Sequence, residues 1–423
     1  MQNTNQEIQT QYDQTMIQTY QTDIIEESLK IMDNPDLKDL SFINTFNIKK
    51  LELQNCENIV PKLCSQTIKE LHVVNYFYYP TEFQSVEDFQ LNNLEVLVLL
   101  NRYQKEAKTL INEIIKFKFL KTLLLERWQV DISPLSQITS ITSLSLTECD
   151  LVNVDSVKSL INLIELNLDG NDGIDITPLQ YLTKLTILSL VSCQLVDLIS
   201  LKSLNNLIEL YLSDNSSIDI TQVQHCSKLK KLMLNHCNLV KLDALQRLNN
   251  LLELQIHGNQ VDITPLQFLT TLTKIGMQSC NLINIDALRP LINLQELSID
   301  FNKIIYLQSL SGLKQLLNLG VYSNKIVDQH SLVQHPNFDK FILSGQDEPS
   351  EEELKMASKM KYINYPIIYL RKIQDEARHL KQQHIIIRKK ISECLHKQYD
   401  KFVIFNAQIV TFFQNMNAFD GIQ

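Results

Sequence analysis

From Ile141 to Asn324 the chain repeats one spacing of apolar positions, L-x-x-L-x-L-x-x-(N/C), in nine consecutive turns. The turns are Ile141-Leu144-Leu146-Cys149, Leu163-Leu166-Leu168-Asn171, Leu185-Leu188-Leu190-Cys193, Leu207-Leu210-Leu212-Asn215 and Leu229-Leu232-Leu234-Cys237. They continue as Leu251-Leu254-Ile256-Asn259, Leu272-Ile275-Met277-Cys280, Leu294-Leu297-Ile299-Asn302 and Leu316-Leu319-Val321-Asn324. The second apolar position falls at 144, 166, 188, 210, 232, 254, 275, 297 and 319, roughly every 22 residues. Alternation around the second and third apolar positions predicts a short strand in each turn, and a fixed period predicts a solenoid in which each turn packs on its neighbours.

Less regular turns extend the pattern at both ends. Ile48-Leu51-Leu53-Cys56, Ile68-Leu71-Val73, Leu94-Leu97-Leu99 and Leu120-Leu123-Leu125 precede it, with Trp128 in the Asn/Cys slot of the last. Trp128 is expected to fill the core there. Phe338-Phe341-Leu343 closes the series, giving about 14 units over 46–345. The second half of each turn reads Asp175-Ile-Thr-Pro-Leu179 or Asp262-Ile-Thr-Pro-Leu266 in one type, and Asp243-Ala-Leu245 or Asp286-Ala-Leu288 in the other. Thr177, Thr264, Asp243 and Asp286 are expected as N-caps, with Pro178 and Pro265 at the first helical position. The convex side is therefore expected to carry short helices or 3-10 turns. The two types alternate, so the array reads as a superrepeat of about 44 residues.

The flanks differ. Residues 1–22 are rich in Gln and Thr, and they are expected to be a disordered tail. Residues 23–45 are expected to hold a capping helix, since Asp23 to Ile31 has helical spacing with acid early in the turn. Residues 346–423 are expected to form a helical segment. Pro349-Ser350-Glu-Glu-Glu353 opens it with a capping box, and a seam of Leu370, Ile373, Ala377, Leu380, Ile387 and Ile391 is interrupted at His384. Between 366 and 401 nine Lys/Arg stand against four Asp/Glu, a balance of +5, which leaves -14 for the rest of a chain of net charge -9. Arg371-Lys372 and Arg388-Lys389-Lys390 could meet an acidic protein partner, nucleic acid or an anionic membrane surface, but the interleaved Ile385-Ile386-Ile387 favours packing or self-association.

Repeat, period and slot residues together resemble the 22-residue subclass of leucine-rich repeats, over about residues 45–345. That subclass is found in regulatory subunits of protein phosphatase 1 and in bacterial internalins. Repeats followed by a basic helical tail are also similar to leucine-rich families of flagellated protists. The resemblance implies an α/β fold: a curved solenoid with parallel strands on its concave face, short helices or 3-10 turns on its convex face, and a helical C-terminal segment. It also implies a protein-binding function carried by exposed strand residues. On the phosphatase-binding face of the family, aromatic and acidic residues recur, and this chain has a partial set.

Composition narrows the chemistry. There are eight glycines and no stretch of 18 apolar residues, so neither a phosphate-cradling loop nor a membrane span is expected. The polar start, MQNTNQEIQTQYDQT, has no apolar core of the kind a secretory signal needs. Net charge of -9 gives no support to general nucleic-acid affinity. Cys149, Cys193, Cys237 and Cys280 share one slot in alternate turns. Strands ~4.8 Å apart place them roughly 9–10 Å from each other. That is beyond the reach of about 7 Å between Cα atoms in a disulfide, and beyond a shared zinc with bonds of about 2.3 Å to sulfur. Buried free thiols are expected, in a reducing, intracellular compartment: the cytoplasm, with the nucleus compatible. His225-Cys226, His236-Cys237 and His257 are read as solvated histidines beside buried thiols, not as a metal site. No catalytic motif, cofactor site or small-molecule site is expected.

Binding is expected on the concave face. One outward column reads Glu165, Ile187, Glu209, Lys231, Glu253, Lys274, Glu296, where ladder pairing between neighbouring strands is favoured over a docking stripe. Beside it lie the residues expected to meet a partner protein: Tyr211, Met233, Asn235, Gln255, His257, Gln278, Asp300 and Tyr322. The function read from the chain is a non-catalytic interaction scaffold. The alternatives are an adaptor for a phosphatase catalytic subunit and a structural protein that self-associates through its C-terminal helix.

Overall fold

The computed structural model describes residues 21–337, apart from 26, 34–39, 41, 44–45, 57–62, 76–88, 108, 152 and 333–334. The Phe338 unit, residues 1–20 and the basic segment after 345 lie outside the described residues. Fifteen strands follow one another in chain order in a single sheet. They are β1 (Gln21–Ile25), β2 (Ser28–Met32), β3 (Lys50–Gln54), β4 (Glu70–Asn75), β5 (Val96–Glu106), β6 (Thr122–Gln129), β7 (Ser143–Thr147) and β8 (Glu165–Asn167). The series ends with β9 (Ile187–Ser189), β10 (Glu209–Tyr211), β11 (Lys231–Met233), β12 (Glu253–Gln255), β13 (Lys274–Gly276), β14 (Glu296–Ser298) and β15 (Asn318–Gly320). From β2 to β15 every neighbour is parallel, the arrangement of a curved leucine-rich-repeat solenoid.

The leucine register decides this. Leu166, Leu188, Leu210, Leu232, Leu254, Ile275, Leu297 and Leu319 are direct partners from strand to strand. All are buried, in one continuous apolar core. Trp128 is buried in the same core and donates from its indole N–H to the Leu99 carbonyl at 3.0 Å.

The start of the array differs from the expected capping helix. Residues 23–25 and 28–31 lie in paired strands: β1 runs antiparallel to β2, with Gln21 opposite Met32 and Ile25 opposite Ser28. Leu29 and Ile31 are buried, flanked by half-buried Ser28, Lys30 and Met32, and Leu29 and Ile31 stand in register with Leu51 and Leu53. The two-residue period of a repeat strand thus prevails over the helical spacing of Asp23–Ile31. The parallel array begins one turn before Ile48, and β1 covers the edge that β2 would otherwise leave open.

Among the described residues the convex turns are 3-10 in all but one case, the short helix α1 (Leu110–Ile114). Sheet spacing explains this: strands sit ~4.8 Å apart, while an α-helix with its side chains is about 10 Å wide. Slimmer 3-10 turns keep successive repeats close on both faces. Their capping also differs from expectation. Thr177 and Thr264 are the first residues of their turns, with Pro178 and Pro265 second. The cap is the Asp two residues earlier: Asp175 and Asp262 each accept the backbone N–H of that Thr at 2.9 Å. The hydrogen bond from the Thr side chain first, and this backbone bond second, hold both carboxyls below the usual aspartate range. Asp243 and Asp286 likewise begin their turns instead of capping them.

Alternation of Cys and Asn has a hydrogen-bonding reason. Asn215 is fully buried, and its Nδ2 donates to the carbonyls of Leu190 and Leu212 at 2.8 Å and of Ser213 at 3.2 Å. Its Oδ1 accepts the N–H groups of Cys193 at 3.2 Å and Leu195 at 3.0 Å, one turn back. Asn171, Asn259 and Asn302 treat the turns of Cys149, Cys237 and Cys280 in the same way. Each Asn serves its own turn and the one before it, so the preceding slot can be filled by a small apolar thiol. Cys193 needs only weak S–H contacts to the carbonyls of Leu168 and Val191.

Two predictions follow from this arrangement. Asn215→Ala orphans buried amides in two turns and should destabilise by about 3 kcal/mol or more, whereas Cys193→Ala should cost about 1 kcal/mol. Denaturant unfolding with local hydrogen exchange checks the order; equal losses would refute the shared-asparagine account. Burial also pushes the thiols of Cys149 and Cys226 up to about 12 and those of Cys193 and Cys237 up to about 11. These four should react slowly with a thiol reagent when folded and quickly after unfolding, with exposed Cys64 modified ahead of them. A native disulfide at any of the four, seen by mass spectrometry, would break the ladder geometry.

Candidate protein-interaction face

Backbone alternation turns three residues of each repeat outward, and the register assembles them into columns across the concave face. In the first column Lys274 lies 3.7 Å from Glu253 and 3.2 Å from Glu296, and Lys231 lies 3.8 Å from Glu253. The Lys231 ammonium also sits 5.3 Å from the centre of the Tyr211 ring. The Tyr211 hydroxyl donates to the Glu209 carboxylate. Burial first, and that bond second, raise the phenol above its usual range. The charged stripe is thus largely paired with itself, at about 0.2–1 kcal/mol per pair.

The third column is a ladder of another kind. Asp169 Oδ1 accepts the Val191 N–H at 2.7 Å, Ser213 Oγ accepts the Asn235 N–H at 3.1 Å, and Asn235 Oδ1 accepts the His257 N–H at 2.9 Å. His257 Nδ1 accepts the Gln278 N–H at 3.0 Å, and Asp300 Oδ1 accepts the Tyr322 N–H at 2.7 Å. These amides lie just past the strand ends, where the sheet no longer supplies a carbonyl, so side chains supply the acceptor. Asn235, His257 and Asp300 therefore have a structural duty within the array. Gln278 bonds Ser298 Oγ at 2.6 Å and Asp300 Oδ2 at 3.1 Å. Gln255 is buried and donates to Glu253 at 3.1 Å. Tyr211 and Met233 are half-buried, and Tyr322 is 51% exposed.

The histidines separate. His225 is exposed on a convex turn and His236 just after β11, while Cys226 and Cys237 are buried. His257 departs from the solvated reading: it is half-buried, and a ring nitrogen that accepts a backbone N–H must be unprotonated. Burial first, and the charge of His236 second, lower its pKa from 6.5, against an opposing pull from Asp300. Among the described residues no three His, Cys, Asp or Glu side chains are gathered as metal ligands.

Three features of this face escape the repeat pattern. The first is an open depression of about 360 Å³, with Ser298 and Gly320 among its lining, Lys274, Glu296 and Asn318 on one side and Gln278 on the other. Gln255 and His257 complete it by lying across Gly276, where a Cβ would run into both side chains. The second is Phe301, 55% exposed, whose ring meets that of Tyr322 edge-on at 5.6 Å between centroids. Phe301 occupies the slot before Asn302, where the backbone is left-handed in every clear repeat (φ 57° here). Glu148, Gly170, Ser192, Asp214, His236, Gly258, Ser279 and Ser323 fill that slot elsewhere. A bulky aromatic in a left-handed slot is uncommon and strained, which marks the position. Its odd residue type was the available signal in the sequence. The third feature is apolar: Val98 pairs with Leu124 and Val74 with Leu100 on the outward side of β4–β6. The unbroken run Val96-Leu97-Val98-Leu99-Leu100 carried that signal, since a strand apolar on both faces does not alternate.

The fold is shared with solved leucine-rich-repeat structures. An internalin (inlF) from Listeria monocytogenes superposes with a TM-score of 0.55 at 24% identity, over 65% of this chain and 82% of its own. A leucine-rich-repeat protein from Leptospira interrogans gives 0.54 at 22% identity, over 77% and 94%. At such identities the likeness establishes the fold alone. No family model and no curated protein matches the chain. The class this defines is a leucine-rich-repeat solenoid.

The His257 geometry sets a pH dependence. Its folded pKa lies below the unfolded 6.5, so its contribution to stability is present above 6.5 and is lost as pH falls through the folded value. His257→Gln keeps an acceptor for the Gln278 N–H without a titrating ring. Thermal unfolding of the native chain should fall relative to this variant as pH drops below 6.5; parallel curves would refute the Nδ1 acceptor role.

Proposed function

We propose that this protein is a non-catalytic scaffold that holds a partner protein on the concave face of its repeat array. The observation that carries the reading is the Phe301–Tyr322 pair, more than half exposed, beside a depression on a face whose two lysines are both held within the array. Exposed aromatics at the edge of a rigid, curved sheet are the anchor type that dominates protein interfaces. The depression is open to solvent, unlike the enclosed clefts that hold small molecules, which favours a macromolecular partner. Buried free thiols at Cys149, Cys193, Cys237 and Cys280 support a reducing, intracellular setting, with the cytoplasm as the proposed location. The alternative of a phosphatase catalytic subunit as partner gains no specific support from the similar structures, and self-association through the tail falls on residues outside those described.

Affinity capture tests the reading. Tyr211→Ala, Phe301→Ala and Tyr322→Ala together remove the aromatic anchors while leaving the amide ladder of Asn235, His257 and Asp300 in place. The full-length triple variant should lose capture of its partner by about thirtyfold or more, with an unchanged circular dichroism spectrum. Undiminished capture would move the interface off the concave face.

A further inference from the structure

The chemistry of the partner can be read from the same face, and this step rests on the concave-face reading above. On and just past β8–β15 the outward columns hold six carboxylates, Glu165, Asp169, Glu209, Glu253, Glu296 and Asp300, against two ammonium groups, Lys231 and Lys274. Both lysines are held within the array: Lys274 lies between Glu253 and Glu296, and Lys231 lies between Glu253 and the Tyr211 ring. Among the described residues, no Lys or Arg forms an ion pair with Glu165, Asp169 or Asp300. The face is therefore anionic after its own pairing is complete.

The exposed apolar surface lies at one end of that anionic stretch. Phe301 and Tyr322 stand at β14–β15, and Asp300, next to Phe301 in the chain, accepts the Tyr322 N–H. Aromatic faces beside carboxylates suit a guanidinium above an ammonium, because its plane can stack on a ring while its N–H fork meets a carboxylate. The depression lined by Ser298 and Gly320 offers room for an adjacent apolar side chain.

We propose that the concave face from β8 to β15 docks a cationic segment of a partner protein. An arginine of that segment sits against Phe301–Tyr322 with the Asp300 carboxylate beside it, and a neighbouring apolar side chain enters the depression over Ser298 and Gly320. The remaining basic residues of the segment run toward Glu209 and Glu165. This orients the bound segment along the array, its anchored end at β15.

The test uses the full chain and a library of random phage-displayed peptides, with selected peptides then measured by fluorescence anisotropy. Selection should enrich peptides of net positive charge that pair arginine with an apolar neighbour, and their binding should weaken steeply with added salt. Phe301→Ser with Tyr322→Ser should weaken them by about tenfold or more. Glu165→Gln with Glu209→Gln should reduce both affinity and salt dependence, and these solvent-facing changes leave the amide ladder intact. Enrichment of neutral or acidic peptides whose binding still depends on Tyr211, Phe301 or Tyr322 would overturn the cationic partner and leave the scaffold reading standing. Peptides indifferent to every concave variant, or no enrichment over a bare surface, would overturn both.

Discussion

The regular part of the structure depends on the hydrogen bonds of one buried side chain, the asparagine that follows every second strand from β8 to β14. Each turn of a solenoid brings backbone amides to the edge of an apolar core, where water cannot reach them. Asn171, Asn215, Asn259 and Asn302 each satisfy groups in two successive turns from a single carboxamide. Leaving such groups unpaired would cost about 1–3 kcal/mol apiece. The leucines supply the driving force for stacking, but the asparagines fix where the chain must turn. They also explain the tolerance for cysteine in the alternate slots, and with it the 44-residue character of the array.

The same accounting governs the concave face. Past the strand ends the sheet no longer supplies acceptors, and Asp169, Ser213, Asn235, His257 and Asp300 supply them instead. A face built this way is rigid, because its polar side chains are tied to the neighbouring turn. Rigidity favours binding by lowering the entropy lost on association. The groups left over for a partner are then those without a duty inside the array: the aromatic edge, the depression beside it and the surplus carboxylates. The internalin and Leptospira structures share the fold.

Much of the fold was legible before any coordinates. The positions of Leu144 through Leu319, the thiols in alternate slots and Trp128 in the core follow from periodicity, which each turn states again. Misreadings fell where a single turn stands alone. Asp23–Ile31 has helical spacing over nine residues, too short to separate helix from strand, and only pairing with β3 shows that Leu29 and Ile31 begin the array. The Asp-Ile-Thr-Pro motif announced a capped turn correctly but not which side chain capped it, since Asp and Thr two residues apart both suit that role.

The candidate site shows the same division. Sequence alone determined which residues face outward, because alternation along a strand is a local property that every repeat confirms. It could not determine which of them are free. Asn235 and His257 look like exposed polar anchors until their acceptors are seen to meet amides one turn on, 22 residues from Asn235 and 21 from His257. Phe301 looks like an isolated irregularity until its ring meets Tyr322 across the same distance in the fold. Hydrogen bonding and ring contact between turns depend on register and side-chain direction, and only the stacked structure sets those.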